Sequence, residues 1–367
     1  MAINNYLETD VRRKKQDERV FREKLDDAFF SRFFTFENPS SADASQVIQQ
    51  QSGGVFKSKD GLPVKLIRDL NVGQGDRLEF PFVKALSGKG IKGSQNISLE
   101  GNEEVITSFK DYIELEEYAH ACKDTSPLGR KRALFDISEE MRVQMAGWGV
   151  RAIDDLCFNA IEQSSNVYYP GSHTKDSDIT SSDKITFKDL KKAKIQAMTR
   201  SNGSRYLMEP VKGPNGREYY IAVMNPDSFY DLKEDADFKE AILNSYDRGG
   251  FYDHPLFAGA DVITADGICI YVSERAGTVS NFGSSGNVAG SKITLMGANA
   301  LNVAIGGVPG IVPEIKDYRR ARGFSFQMFA GFKVPQFDGV DYGSIQIRCA
   351  RTNASGIDEN ISHRVEL

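Results

Sequence analysis

A chain that binds a metal or attacks a substrate needs His, Cys, Asp, Glu or Ser side chains at spacings that let them converge. Four histidines (His120, His173, His254 and His363) and four cysteines (Cys122, Cys157, Cys269 and Cys349) are the first places to look. No two histidines stand as HxxxH and no two cysteines as CxxC, so neither set has the spacing of a zinc or redox site. Cys157, Cys269 and Cys349 sit among apolar neighbours and read as small core residues. Cys122 has polar neighbours and is expected to be more exposed. Such usage suits a reducing cytosol, where disulfides are rare. Gly283-Ser284-Ser285-Gly286 lacks the residue that a GxSxG elbow places before its second glycine. The run GNVAGSK (286–292) has Ser before Lys and too short a gap for a phosphate-binding loop, and reads as a flexible loop. Glu114, Glu116 and Glu117 lie along a predicted strand as a wet face. Asp231, Glu234 and Asp235 lie on or near a helix start, where negative charge suits the dipole. The sequence therefore points to no catalytic residue, no cofactor and no metal.

What remains is to ask what the elements are for. The 367 residues suffice for two or three domains, and a 40% hydrophobic share supports a folded core. A net charge of −5 lacks the basic excess of a protein that coats nucleic acid. The amino terminus, MAINNYLETDVRRKK, has no apolar signal-like run, and no stretch is long enough to span a bilayer, so a soluble protein made in a cytoplasm is expected.

Between 8 and 36, Val20, Phe21, Leu25, Ala28, Phe29, Arg32 and Phe33 recur at helical spacing and predict an amphipathic helix. Eight basic and seven acidic residues over 1–36 nearly cancel, so this is no DNA-binding arm. The rings Phe29, Phe30, Phe33, Phe34 and Phe36 would form a sticky patch unless covered, which favours a partner surface. Residues 38–61 read as an extended polar linker. VKLIRDL (64–70), DRLEFPFV (76–83) and VITSFKDYIELEEYAHA (105–121) read as strands. The glycine-rich excursion between the last two has no core of its own, which describes a projecting β-hairpin.

Ser126-Pro127 opens the longest predicted helix, with Leu134, Met141, Met145, Trp148, Ala152, Leu156 and Ala160 on one face. Continuous from 127 to 163, it would run about 55 Å. Gly147 and Gly149 are expected to bend it or to admit a close neighbour. Thr186 to Asp189 resembles a capping box before a second helix, 187–201, whose Lys188, Lys191, Lys192, Lys194 and Arg200 read as a solvated face. GPNG (213–216) predicts a hairpin turn, and Asn225-Pro226 a helix start. Residues 206–316 mix short strands with helices.

From Tyr219 onward the landmarks come in a telling order: YYIAVMNPDSFYDLKED (219–235), GGFYDHPLFAG (249–259), ADVITADGICIYVSE (260–274), ITLMGANALNVAIGG (293–307) and DYRRARGFSFQMFAGFKVPQFDG (317–339). These read as a strand entering a helix, a glycine–aromatic link, a strand pair with an Asp-Gly turn, a small-residue apolar helix, and a strand ending in an aromatic. Their order and spacing resemble the major capsid proteins of tailed phages in the N-four-like group, whose fold is of the Hong Kong ninety-seven type. The resemblance implies an α+β fold with an N-terminal arm and linker (1–61), an extended β-hairpin loop with flanking strands (62–121) and a peripheral domain with a spine helix (122–205). An axial domain (206–316) and return strands to the peripheral domain with a C-terminal tail (317–367) complete it.

It also implies a shell subunit rather than an enzyme, found in the virion and assembled in the host cytoplasm. The implied partners are further copies as hexamers and pentamers, with scaffolding, portal and decoration proteins, and packaged DNA touched non-specifically. No membrane partner is implied. The implied contacts with neighbouring copies are the arm rings Phe29, Phe30, Phe33 and Phe34 and the hairpin tip, Gly88, Lys89, Gly90, Lys92 and Gly93. Arg319 and Arg320 join them near the junction of the axial and peripheral domains, as candidates for ion pairs. The founding member of the wider fold links a lysine of this loop to an asparagine on a neighbour. Lys89 and Lys92 lie in the equivalent loop, but most relatives do not cross-link and no acidic helper can be assigned. Two other classes stay open on the residues alone: a cellular nanocompartment shell, and an unrecognised α+β enzyme or binding domain.

Overall fold

Runs that are apolar at every position, such as Tyr219–Met224 and Ile268–Val272, suit strands covered on both faces. The computed structural model bears this out. It describes residues 28–37, 62–67, 77–83, 100, 103–105, 108–124, 127–132, 134, 136–199, 208–212, 218–245, 262–316, 318, 320–337 and 339–353. In chain order, a 3-10 turn (Phe30–Phe33) leads into β1 (Phe34–Glu37), β2 (Val64–Ile67), β3 (Arg77–Val83), β4 (Ser108–Glu114) and β5 (Glu116–Asp124). Helices α1 (Pro127–Arg132) and α2 (Ile137–Ile161) follow, then β6 (Val167–Tyr168), α3 (Phe187–Met198), β7 (Val211–Lys212), β8 (Glu218–Met224), α4 (Pro226–Glu234) and α5 (Ala236–Ser245). The rest is strand: β9 (Val262–Ala265), β10 (Ile268–Val272), β11 (Thr278–Phe282), β12 (Val288–Met296), β13 (Leu301–Lys316) and β14 (Ala321–Lys333). Last come β15 (Gln336–Phe337), β16 (Val340–Asp341) and β17 (Ser344–Ala350).

Two sheets organise the chain. The first runs β1-β2-β13-β14-β5, and the second β6-β17-β12-β8-β10-β9, with β7 and β11 paired at its sides. The strand period of two divides the second sheet cleanly. Tyr220, Ala222, Met224, Ile268, Ile270, Ile293 and Leu295 face a core shared with α3, Phe229, Leu232 and Phe238. Ile221, Val223, Cys269, Tyr271 and Met296 face the other way, into a core shared with α2 and the first sheet. Helix α2 is thus enclosed by both sheets.

Local chemistry places the helix starts. The Thr186 hydroxyl accepts from the Asp189 amide at 3.3 Å, and the Asn225 side chain accepts from the Ser228 amide at 2.9 Å, with Pro226 at the first position. Asp266 (φ +50°) and Gly267 (φ +72°) turn β9 into β10, a left-handed pair of positions that Asp and Gly tolerate. Val211 pairs with Tyr219, the hairpin expected around 213–216.

Three expectations change. The long helix is not continuous from 127: α1 ends at Arg132, and Asp136, in extended backbone, caps a new start by accepting from the Ser138 amide at 2.9 Å. The remaining 25 residues span roughly 37 Å. Leu134 falls outside the helix, fully exposed. The segment 293–307 is not a helix but the end of β12, a turn and the start of β13. Its Ile293, Thr294, Val303 and Ile305 are β-branched, and a helix there would carry Gly297 and Gly306 in its interior. At the turn Asn299 adopts φ +53° and its amide donates to the Leu62 carbonyl at 3.1 Å. Finally, GNVAGSK is no free loop: Gly283 and Gly286, both at positive φ, close a tight turn, and β12 begins at Val288.

Strand partners also redraw the expected divisions. Because β13 pairs with β14 and β2, residues 301–316 join the sheet that carries α2. Because β17 pairs with β12 and β6, the last strand joins the other sheet.

One close approach fixes how α2 lies on the first sheet. A Cβ at Gly149 would stand 2.7 Å from Cε2 of Phe326, a fully buried ring that also meets Trp148 edge-on at 5.8 Å. The second expectation for the helix glycines, a close neighbour, is the one that holds here. Gly149→Ala is expected to cost about 1–3 kcal/mol through overpacking, read as a lower melting temperature of the unassembled chain.

Candidate intersubunit surfaces

The hairpin expected from the sequence forms a sheet of its own. Strands β3 and β4 pair antiparallel from Arg77↔Glu114 to Val83↔Ser108, apart from both larger sheets. The tip residues Gly88, Lys89, Gly90, Lys92 and Gly93 lie outside the described residues. At the root, Ile113 is buried and fills the space that a side chain on Gly331 would otherwise take: a Cβ there would overlap Cγ2 of Ile113.

The amino-terminal rings are placed otherwise than the sequence suggests. Residues 28–37 form a turn and a strand rather than part of a long helix. Phe30 and Phe33 are 1% and 0% exposed, and Phe29 is half-buried, all within this chain's own core. Phe30 meets Phe158 of α2 at 4.8 Å, Phe29 stacks on the same ring at 5.5 Å, and Phe33 meets Tyr271 at 5.0 Å. Cover for them is supplied within the chain by α2 and β10. The backbone of Phe34 enters β1 opposite Val64.

Two adjacent aspartates of α2 fasten this seat. The Phe29 and Phe30 amides donate to Asp154 at 2.9 and 3.1 Å, which satisfies donors at the start of the 3-10 turn. Asp155, wholly buried, accepts from Arg275 at 2.7 Å, and Arg275 also donates to the Arg151 carbonyl at 3.1 Å. Arg275 lies just beyond β10, so Asp154 holds the amino-terminal segment while Asp155 holds the second sheet. Burial pushes the Asp154 carboxyl up, opposed by the two amides and by Arg275. Sequence reasoning misses these residues. Two consecutive acids inside an apolar helical stripe are the signal available.

Of the arginine pair, Arg319 lies outside the described residues. Arg320 is exposed at the β13–β14 turn, where its carbonyl accepts from Arg130 at 3.0 Å. The same end presents Val312, Ile315 and Tyr318 to solvent, Tyr318 completely.

For chemistry the arrangement offers little. Among the described residues no group of His, Cys, Asp and Glu could hold a metal. Burial pushes the Cys157 and Cys349 thiols up, away from the thiolate a nucleophile needs. A cleft of about 510 Å³ runs along α2 between Val143 and Asp154 and faces Val272 to Arg275. Its Asp154 and Arg275 side chains are committed to the contacts just described. Asp231, expected near a helix start, is buried within α4 and accepts from the Thr352 amide at 2.7 Å.

A hairpin that pairs with neither larger sheet, a long helix between two sheets and buried charges that tie strands to helix are the features of this arrangement. The sequence profile of the family described as phage capsid protein matches residues 14–167 and 160–353. The chain belongs to that family. A relative of this capsid protein, the major capsid protein of Pseudomonas phage KPP25, is 25% identical in an alignment that covers 76% of this chain and 84% of the relative. Among solved structures, the capsid of Ralstonia phage GP4 matches with a TM-score of 0.69 at 20% identity, over 80% of this chain and 88% of that one. The capsid asymmetric unit of cyanophage Pam1 gives 0.69 at 16% identity, over 82% and 91%. At these identities the structures speak to fold, and the capsid protein has the tailed-phage capsid fold of the Hong Kong ninety-seven type.

Proposed function

We propose that this capsid protein is the repeating subunit of an icosahedral phage head, joined as hexamers and pentamers around double-stranded DNA. Its work is assembly rather than catalysis, and its partners are first of all other copies of itself. The observation that carries this is the β3–β4 hairpin, a two-stranded sheet set apart from both larger sheets. An isolated two-stranded hairpin is marginal in water, so a support beyond its root gives it a reason to exist. On this reading the hairpin overlaps a neighbouring subunit, and closed symmetry turns many modest contacts into a stable shell. Scaffolding, portal and decoration proteins, and non-specific contact with the packaged DNA, complete the expected partners. The subunit would be made in the host cytoplasm and end in the virion.

The test is negative-stain electron microscopy of the chain co-expressed with its neighbouring genes, beside a form in which residues 85–104 are replaced by a short turn. Closed uniform shells are expected from the first, and folded subunits without shells from the second. Wild-type shell yield from the truncated form would overturn the role given to the hairpin. A homogeneous monomer from the intact chain would overturn the shell reading itself.

A further inference from the structure

A hairpin that reaches a neighbour is useful only if it leaves the body at a set angle. Here a single residue, Leu115, separates Glu114 of β4 from Glu116 of β5. One residue contributes two soft dihedrals and cannot by itself fix a direction.

Across that joint lies a buried carboxylate. Asp111 Oδ1 accepts from the Lys333 ammonium and, at 2.8 Å, from the Tyr112 amide. Asp111 Oδ2 accepts from the Gln336 amide at 3.0 Å. Lys333 also donates to the Tyr112 carbonyl at 3.0 Å and sits over the Tyr112 ring, 4.5 Å from its centroid. Arg77 of β3 lies over the same ring at 4.0 Å and pairs with Glu114 at 2.6 Å. Both hairpin strands are thus gathered on Tyr112, and the end of β14 grips β4 through Asp111. Lys333 and Asp111 are 222 residues apart in sequence, so local chain stiffness does not make this contact.

We propose that Asp111 is a positioning residue. The clasp of Asp111 with Lys333 and Gln336 sets the hairpin's angle, and through that angle the curvature of the shell. This rests on the shell reading above. A partly buried, charge-assisted contact resists partial opening, because a half-open clasp leaves a desolvated carboxylate short of donors. Seven paired residues at 3.3 Å make a lever of about 23 Å, so a 10° tilt at the root moves its far end by about 4 Å. Packed surfaces do not absorb a displacement of that size without changing partners.

The experiment compares Asp111→Asn, Lys333→Met and Lys333→Arg in the full chain, co-expressed with the neighbouring genes. Shell diameters are read by electron microscopy, and melting temperatures are taken on the unassembled subunits. The Asp111→Asn and Lys333→Met chains are expected to fold but to lose the single shell diameter, giving mixed sizes or open sheets. Lys333→Arg, which keeps the charge and the stacking, is expected to restore one diameter. Should Asp111→Asn fail to fold, Lys333→Met carries the test, since Lys333 is half-buried at the surface. Shells of wild-type diameter and uniformity from Lys333→Met would overturn the proposal. So would a lower yield at unchanged diameter, which marks the clasp as a stabilising contact only. If the wild-type chain itself forms no shells, the shell reading fails and this proposal with it. Uniform mutant shells beside uniform wild-type shells overturn this proposal alone.

Discussion

Arg275→Met is expected to destabilise the unassembled subunit by about 3–5 kcal/mol, the cost typical of removing one partner from a buried ion pair. Asp155 has no exposed surface, and the Arg275 guanidinium at 2.7 Å is a charged partner for it there. The substitution also removes a donor from the Arg151 carbonyl. Chemical denaturation with urea would show a lower midpoint at an unchanged slope. The double substitution Arg275→Met with Asp155→Leu is expected to recover much of the loss, since two apolar groups of suitable size leave no stranded charge. A midpoint equal to wild type for Arg275→Met would mean that the carboxylate is satisfied elsewhere, and the tie between α2 and the second sheet would lose its importance.

Phe33→Ala is expected to cost about 3–5 kcal/mol in the same assay, the range for truncating a buried aromatic ring. Phe33 is fully buried and meets Tyr271 at 5.0 Å and Phe29 at 5.5 Å, both edge-on. The experiment separates two roles cleanly. A ring that served only a neighbouring subunit would leave the isolated chain as stable as before and impair assembly alone. A ring that completes this chain's own core lowers the stability of the subunit before any partner is present. An unchanged urea midpoint would return Phe33 to the interface.

What can be read in the sequence is what depends on near neighbours. Asp266-Gly267, Asn225-Pro226 and Thr186 announce their turn and helix starts through bonds made within three residues, and the structure has each of them. The order of such landmarks is enough to reach the right fold. Contacts made across the chain leave no local mark. Asp111 and Lys333, or Asp155 and Arg275, meet only once distant strands have been arranged, so neither residue of a pair names its partner. The segment 293–307 misleads because its Gly, Ala and Asn residues blur the difference between helix and strand periods, and the β-branched residues are the better guide. The rings Phe29, Phe30 and Phe33 do pack under cover, as their composition implies. Their actual cover, Phe158 and Tyr271, lies more than a hundred residues downstream.

The order of strands in the two sheets carries a consequence for synthesis. Among the described residues, β1 and β2 lie on one side of the first sheet and β5 on the other, joined through β13 and β14, which come from residues 301–333. In the second, β6 reaches its neighbours only through β17, which ends at Ala350. A growing chain on the ribosome therefore makes β1, β2, β5 and β6 long before the strands that join them to their sheets. Pairing so distant in sequence carries the loop-closure cost that slows folding in general. A chain stopped before β17 leaves β6 without the strand that joins it to the sheet. The same topology that holds the folded subunit together thus makes both sheets depend on strands that are made late.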